Sequence, residues 1–139
     1  MRIGFLVNPV AGMGGSVALK GTDGAETLRR ARALGAVPRA AERMAQALDA
    51  ALPLPDGVGF LACGGEMGEA LLKERRLSYE TVYRPAGETG AADTRAAVEA
   101  MVAAGAELIF FAGGDGTARD VCAATEGADI PVIGVPAGV

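Results

Sequence analysis

One acidic residue stands among glycines directly after an apolar run, in the stretch FFAGGDGTARDV at residues 110–121. Gly113 and Gly114 would let the backbone turn sharply and come close to a ligand with its N–H groups exposed. Gly116 and Thr117 open a helix-like segment, and the N-terminus of a helix attracts anions. The Thr117 hydroxyl adds a further hydrogen-bonding group. The spacing therefore predicts a cradle for phosphate oxygens.

Asp115 is the candidate catalytic residue of this stretch. A carboxylate next to phosphate is repulsive unless it serves a reaction or a metal ion. It could accept a proton from an attacking hydroxyl, or it could help to place Mg²⁺. A simpler interpretation stays open, in which Asp115 only caps the helix that follows.

A second glycine-rich stretch, NPVAGMGGS, runs from Asn8 to Ser16 after the first apolar run. It does not fit the dinucleotide fingerprint G-x-G-x-x-G, because the last position falls on Val17. It does not fit the phosphate loop of NTPases either, because no Gly-Lys-Ser/Thr follows. An ordinary Rossmann dehydrogenase and a P-loop NTPase are thus not supported, and a plain tight turn remains open here.

Composition limits the chemistry that the chain can perform. The 139 residues include no histidine, which excludes Ser-His-Asp and Cys-His catalysis and any histidine-ligated metal. The two cysteines, Cys63 and Cys122, have no partners at metal-binding spacing and are predicted to be free, buried thiols. Proton transfer must then use a carboxylate, Lys, Tyr or the substrate. Since aromatic residues are scarce, the predicted core consists of Ala, Val, Leu, Ile and Met.

Charge and hydropathy limit the partners. The net charge is −4 and no run is rich in Lys or Arg, which argues against nucleic acid and against an anionic membrane surface. No apolar stretch reaches about 18 residues, so no transmembrane helix is predicted, and the chain is expected to be cytoplasmic. Self-association into a homo-oligomer is left open.

Strand-like and helix-like runs alternate along the chain. The predicted strands are Arg2–Asn8, Gly57–Cys63, Leu77–Tyr83, Glu107–Ala112 and Pro131–Val135. The predicted helices are Ala25–Leu34, Arg39–Leu52 with Pro38 in its first turn, Glu66–Arg75, Asp93–Ala104 with Asp93 as its cap and Gly105 as its stop, and Gly116–Thr125. Four strands are continuously apolar at their centres, whereas LSYETVYR alternates and is placed at an edge.

Alternation of this kind predicts a three-layer α/β, Rossmann-like domain with a parallel five-stranded sheet. We expect the strand order 3-2-1-4-5, which places strands one and four side by side where the order reverses. The loops after Asn8 and Gly113 would then be neighbours above the carboxyl ends of the strands, where ligands bind.

Three motifs carry a resemblance to a known group. GGDGT at 113–117 is similar to the signature of the NAD kinase and diacylglycerol kinase superfamily, and NPVAG at 8–12 resembles its first-strand loop. ETGAADT at 88–94 resembles the segment before the helix that precedes the GGDGT strand. Together with KGTDG at 20–24 and GVPAGV at 134–139, they look closest to the ATP-NAD kinase-like branch that includes an acetoin-catabolism accessory protein.

The resemblance implies a phosphotransferase that uses ATP, with Mg²⁺ brought in by the nucleotide, and NAD as the acceptor. It assigns Asp115 to the acceptor hydroxyl. It assigns nucleotide contacts to Asn8, Gly12, Thr89, Gly113, Gly114, Gly116 and Thr117, and no metal ligands to the protein. Polyphosphate as the donor, a lipid or sphingoid-base acceptor, and a non-catalytic nucleotide sensor are alternatives. The roles of Lys20, Thr22 and Asp23 stay open, and an exposed Lys20 is the simpler interpretation.

The resemblance also bears on domain organisation. In this superfamily a first α/β domain is followed by a β-rich domain, and the substrate site lies between them. Residues 1–139 are expected to be the first, nucleotide-binding domain of a longer protein. Alone, they are expected to bind nucleotide weakly and not to turn over.

Overall fold

Five parallel strands form the middle layer of the molecule. The structure, a computed structural model, describes residues 1–11 and 39–137. The strands are β1 (Arg2–Val7), β2 (Gly59–Cys63), β3 (Tyr79–Tyr83), β4 (Leu108–Gly113) and β5 (Val132–Pro136). Their order in the sheet is β3-β2-β1-β4-β5, as predicted, with the alternating strand β3 at an edge. The chain therefore has the α/β, Rossmann-like fold, and β1 and β4 are neighbours at the reversal of strand order.

Helices cover both faces of the sheet. They are α1 (Ala40–Ala51), α2 (Glu69–Glu74), α3 (Ala91–Ala103) and α4 (Asp115–Ala124), and a single 3₁₀ turn spans Gly65–Met67. The predicted helix Ala25–Leu34 and its neighbour Pro38 lie outside the described residues, as do Gly12, Lys20, Thr22 and Asp23.

The core consists of two clusters because successive residues of a buried strand point to opposite faces. Phe5 and Val7 of β1 pack on the side of α1, together with Met44 and Leu48. Leu6, between them in the chain, packs on the side of α3 and α4. This double burial explains why the central strands are apolar throughout.

Phenylalanine contributes more to the core than its scarcity suggested. Phe5, Phe60 and Phe111 are all buried. The Phe5 ring meets Phe60 at a centroid distance of 5.5 Å and Phe110 at 6.0 Å, in edge-to-face arrangements. The prediction of a core without aromatic residues was therefore wrong, since even a few rings can occupy neighbouring positions on adjacent strands.

One predicted helix is interrupted. The run Glu66–Arg75 divides into the 3₁₀ turn and α2, and Gly68 lies between them with φ of 142°. A Cβ atom on Gly68 would lie 2.9 Å from the Phe5 carbonyl oxygen, so only glycine fits this close approach to β1. In contrast, Gly105 ends α3 as predicted, with φ of 91°.

Two smaller predictions need correction. The helix α3 begins at Ala91 with Gly90 as its cap, so Asp93 is the third helical residue and not the cap. It still serves the helix end, because its carboxylate accepts a hydrogen bond from the Gly90 N–H at 2.9 Å. Both cysteines are free, but only Cys63 is buried, and burial raises the pKa of its thiol to about 12. Cys122 is exposed.

Candidate functional site

The two glycine-rich loops meet above β1 and β4. Asn8, the residue after β1, donates a hydrogen bond from Nδ2 to Oγ1 of Thr117 at 2.9 Å. The other atom of the amide, Oδ1, accepts the N–H of Val10 at 3.2 Å and so folds the first loop back over the strand. The structure thus brings together two residues that are 109 positions apart in the chain.

Gly113 is the last residue of β4, where it pairs with Pro136 of β5. A Cβ atom here would lie 2.4 Å from Cβ and 2.5 Å from Oγ1 of Thr117. The buried Thr117 side chain therefore occupies the space that any larger residue would need. Close packing, and not a sharp turn, requires glycine at this position.

Asp115 is the first residue of α4, and Gly114 is the cap residue. The cap has φ of −95° and ψ of −164°, an extended backbone that any residue adopts, so the expectation of a turn special to glycine was wrong here. Because Gly114 holds the cap position, the interpretation of Asp115 as a helix cap is also wrong. Asp115 is exposed. It belongs to the first turn of α4, whose N–H groups have no acceptor within the helix.

Two depressions open at the carboxyl edge of the sheet. The first, the β1–β3 cleft, has a volume of about 540 Å³ and lies above the ends of β1, β2 and β3. Its lining residues are Pro9, Val10, Gly64, Gly65, Glu66, Met67, Arg84, Pro85, Gly87, Glu88 and Thr89. The second, the β4–β5 hollow, has a volume of about 260 Å³. Its lining residues are Phe111, Gly113, Gly114, Asp115, Ala118, Gly134, Val135, Pro136 and Ala137.

The predicted site residues are divided between these depressions. Thr89 lines the β1–β3 cleft, next to the loop that Asn8 holds. Gly113, Gly114 and Asp115 line the β4–β5 hollow. The Asn8–Thr117 hydrogen bond joins the loop after β1 to the first turn of α4, which also contains Gly116. The positions at one sheet edge agree with the predicted arrangement, whereas the nucleotide contacts themselves stay predictions.

A hydrogen-bonded chain fixes the wall that carries Thr89. The Tyr83 hydroxyl donates to Oδ1 of Asp93 at 2.7 Å, while Oδ2 of Asp93 accepts the Gly90 N–H. The bond to Asp93 raises the pKa of Tyr83 above its ordinary value, since ionisation would place two negative charges side by side. Strand β3 and the start of α3 are thereby tied together on either side of the 84–89 loop.

Sequence reasoning missed the charged pair at the rim of the β1–β3 cleft. Arg84 follows β3, and its Nη2 lies 2.8 Å from Oε2 of Glu69. The same carboxylate oxygen accepts the Thr81 hydroxyl at 2.6 Å. The hydrogen bond from Thr81 is the largest cause that holds the pKa of Glu69 below its usual range, and the Gly65 N–H and then Arg84 add to it. A signal was present, because the glycine pair Gly64–Gly65 also follows a strand and so belongs to the same edge.

The described residues 1–11 and 39–137 contain no cluster of three or more Cys, Asp or Glu side chains able to hold a metal ion. They also contain no helix with the length and apolar character that a membrane span requires. A further depression, of about 610 Å³, lies at the amino edge between residues 52 and 78, and it includes none of the predicted site residues.

A parallel α/β domain with two depressions at the carboxyl edge of its sheet has the architecture of a Rossmann-like domain. The family model described as the ATP-NAD kinase N-terminal domain matches residues 3–139, so the chain belongs to that family and is NAD kinase-like. Searches of curated proteins and of solved structures found no match to the chain.

Proposed function

We propose that this chain binds a nucleotide along the carboxyl edge of its sheet, in a protein that transfers a phosphoryl group from ATP to a hydroxyl of NAD. The observation that carries the proposal is the position of Asp115. Its exposed carboxylate stands at the wall of the β4–β5 hollow, beside the N-terminus of α4, while Gly114 takes over the helix cap. The family match supports a kinase activity of this kind.

The proposed roles follow from charge and geometry. The N–H groups at the start of α4 would hold phosphate oxygens, because they point away from the helix and carry its positive end. Asp115 would accept the proton of the attacking hydroxyl, which needs a carboxylate near that oxygen and no covalent intermediate. Asn8 and Thr117 hold each other and would keep both loops in place for the ligand.

Magnesium would enter with the nucleotide in this proposal. The described residues offer single carboxylates at the site, such as Asp115, and no cluster, which fits an ion held mainly by phosphate oxygens and water. When bound, Mg²⁺ supplies neutralisation of the phosphate charge. The protein's own residues would orient the phosphates and remove the proton.

The test is a transfer assay on the full-length protein that carries this chain. It is incubated with ATP, Mg²⁺ and NAD, and NADP is measured with an NADP-specific dehydrogenase. Parallel reactions replace NAD by diacylglycerol or sphingosine in mixed micelles, and ATP by polyphosphate. We expect NADP from ATP and NAD. A phosphorylated lipid without NADP would assign the lipid-kinase alternative, and nucleotide binding without any product would assign a sensor.

A further inference from the structure

Arg84 is the one positive charge among the described residues that line the β1–β3 cleft. Two carboxylates, those of Glu66 and Glu88, line the same cleft. Among the described residues that line the cleft, positive charge for an anionic ligand therefore comes from Arg84. Because carboxylates surround it, this guanidinium should matter more to a phosphate-bearing ligand than one cation among many on a basic surface would.

The backbone of the neighbouring glycine pair cannot take that role. The Gly64 N–H donates to the Tyr83 carbonyl oxygen at 2.8 Å, and the Gly65 N–H points to Oε1 of Glu69 at 3.4 Å. Both donors are thus engaged inside the protein. These two N–H groups are therefore not available to an anion, whereas the Arg84 guanidinium on the same wall keeps donors beyond those that Glu69 accepts.

The geometry holds the Arg84 side chain in one place. Its Cγ lies 2.6 Å, and its Nη1 2.9 Å, from the point that a Cβ on Gly64 would occupy, so the side chain lies directly across the glycine. Both carboxylate oxygens of Glu69 accept hydrogen bonds from the guanidinium, Oε1 from Nη1 at 3.4 Å and Oε2 from Nη2 at 2.8 Å. Glu69 itself is anchored by Thr81 and is largely shielded from water, with 16 % of its side chain exposed.

The ion pair leaves Arg84 able to bind a ligand. A guanidinium has five N–H donors, and the pair with Glu69 uses two of them. The side chain is 64 % exposed, so the remaining donors face solvent at the rim of the cleft. A planar fork that is already oriented loses little entropy when it binds a phosphate.

We infer that Arg84, oriented by Glu69 across Gly64, is a specificity-determining residue that recognises a phosphate group of the nucleotide in the β1–β3 cleft. The inference rests on the proposed function, since it takes nucleotide binding at this edge as given. It distinguishes phosphorylated ligands from nucleosides. Glu69 is a positioning residue in this arrangement.

Binding measurements on the 139-residue chain test the role. Dissociation constants are measured by calorimetry for ATP with Mg²⁺, for tripolyphosphate and for adenosine, with Arg84→Ala, Arg84→Lys and Glu69→Gln. The matched control is Arg43→Ala, which removes an exposed arginine from α1, away from the cleft. A circular dichroism spectrum of each variant checks that it is folded.

We expect Arg84→Ala to raise the dissociation constants of ATP and tripolyphosphate about 10- to 100-fold, the range for a lost hydrogen bond to a charged group. The adenosine affinity of Arg84→Ala should stay within about twofold of the wild-type value. The affinities of Arg43→Ala for all three ligands should do the same. Arg84→Lys should recover part of the loss, because the charge remains and the fork does not. Glu69→Gln should lose less than Arg84→Ala.

Each other outcome has a definite meaning. Unchanged ATP affinity in Arg84→Ala, with ATP bound by the wild type, overturns the role of Arg84 and leaves the proposed function standing. An equal loss for ATP and adenosine also overturns it, because Arg84 would then act by shaping the cleft. Absence of ATP binding by the wild type overturns nucleotide binding by this chain, and the role of Arg84 with it.

Discussion

The Asp115 carboxylate does not cap α4, because the residue before it does. Gly114 takes the cap position, so the carboxylate one residue later is exposed and is not needed to end the helix. The sequence suggested two interpretations of this acid, a cap and a base, and it could not separate them, because the choice depends on a shift of one residue. The start of the helix at Asp115 rules out the cap, because Gly114 holds that position. The role of Asp115 as a base needs an activity measurement.

We expect Asp115→Asn in the full-length protein to lower turnover by roughly 100-fold or more, the scale of a lost general base. Nucleotide affinity should stay similar or rise slightly, since a negative charge near the phosphates is removed. Steady-state kinetics with ATP and NAD, together with calorimetric binding, would measure both effects.

The free energy of unfolding provides the control for Asp115→Asn. It should change by less than about 1 kcal/mol, because only a charge–dipole interaction at the helix N-terminus is lost. Asp56→Asn, an exposed change at the amino edge of the sheet, should affect neither turnover nor binding. Near-normal turnover of Asp115→Asn would contradict the role of Asp115 as the base.

Gly113 lies where the strand, and not the loop, meets Thr117. Gly113→Ala should destabilise the domain by about 1–3 kcal/mol, because the new methyl group overlaps the buried threonine. Urea denaturation followed by circular dichroism would measure the change. Gly59→Ala is the matched control, since Gly59 is also a terminal residue of an inner strand and a Cβ there meets no atom within 4 Å. Equal midpoints for the two variants would show that Thr117 moves aside without cost.

At the scale of elements, the sequence predicted the alternating strands and helices. Continuous apolar centres identified the buried strands β1, β2 and β4, and the alternation in β3 placed it at an edge. The same criterion was wrong for β5, which is also an edge strand and leaves Ile133 half exposed. The sequence did not predict the break at Gly68, because that break arises from the Phe5 carbonyl of another strand. The Arg84–Glu69 pair was missed for the same reason, since it joins the end of one strand to a helix before it.

The junction of β3 and α2 should respond to pH. The pKa of Glu69 is lowered, first by the Thr81 hydroxyl and also by Arg84, so the native fold favours the ionised form. Its contribution is therefore present above the ordinary pKa of 4.5 and is lost as pH falls through the lower, folded-state value.

Urea midpoints of the wild type and Glu69→Gln at about pH 6 and about pH 3.5 would measure this linkage. The wild type should be the more stable protein at the higher pH, and the difference should shrink at the lower pH. Glu126→Gln, which removes an exposed carboxylate after α4, is the matched control for the loss of one negative charge. A gap between wild type and Glu69→Gln that is the same at both pH values would contradict the assigned hydrogen bonds.

At the scale of the whole molecule, ligand binding and folding should be coupled. The proposed site uses loops from β1 and β4, which are brought together only in the native sheet. ATP with Mg²⁺ should then raise the free energy of unfolding with concentration, by about 2.7 kcal/mol at 100 times its dissociation constant. Thermal unfolding of the 139-residue chain at increasing ATP would measure it, with sodium chloride at equal ionic strength as the control. A rise that sodium chloride reproduces fully would indicate a general salt effect.

The central position of β1 also has a consequence for synthesis on the ribosome. Ile3 pairs with Leu108, so the final neighbour of the first strand emerges 105 residues after it. At about 5–20 residues per second, that interval is roughly 5 to 20 s. During this time one edge of an apolar strand has no native partner, and it is open to wrong pairing with other nascent chains. The arrangement that joins the two loops in the finished domain thus makes early chaperone cover valuable for this chain.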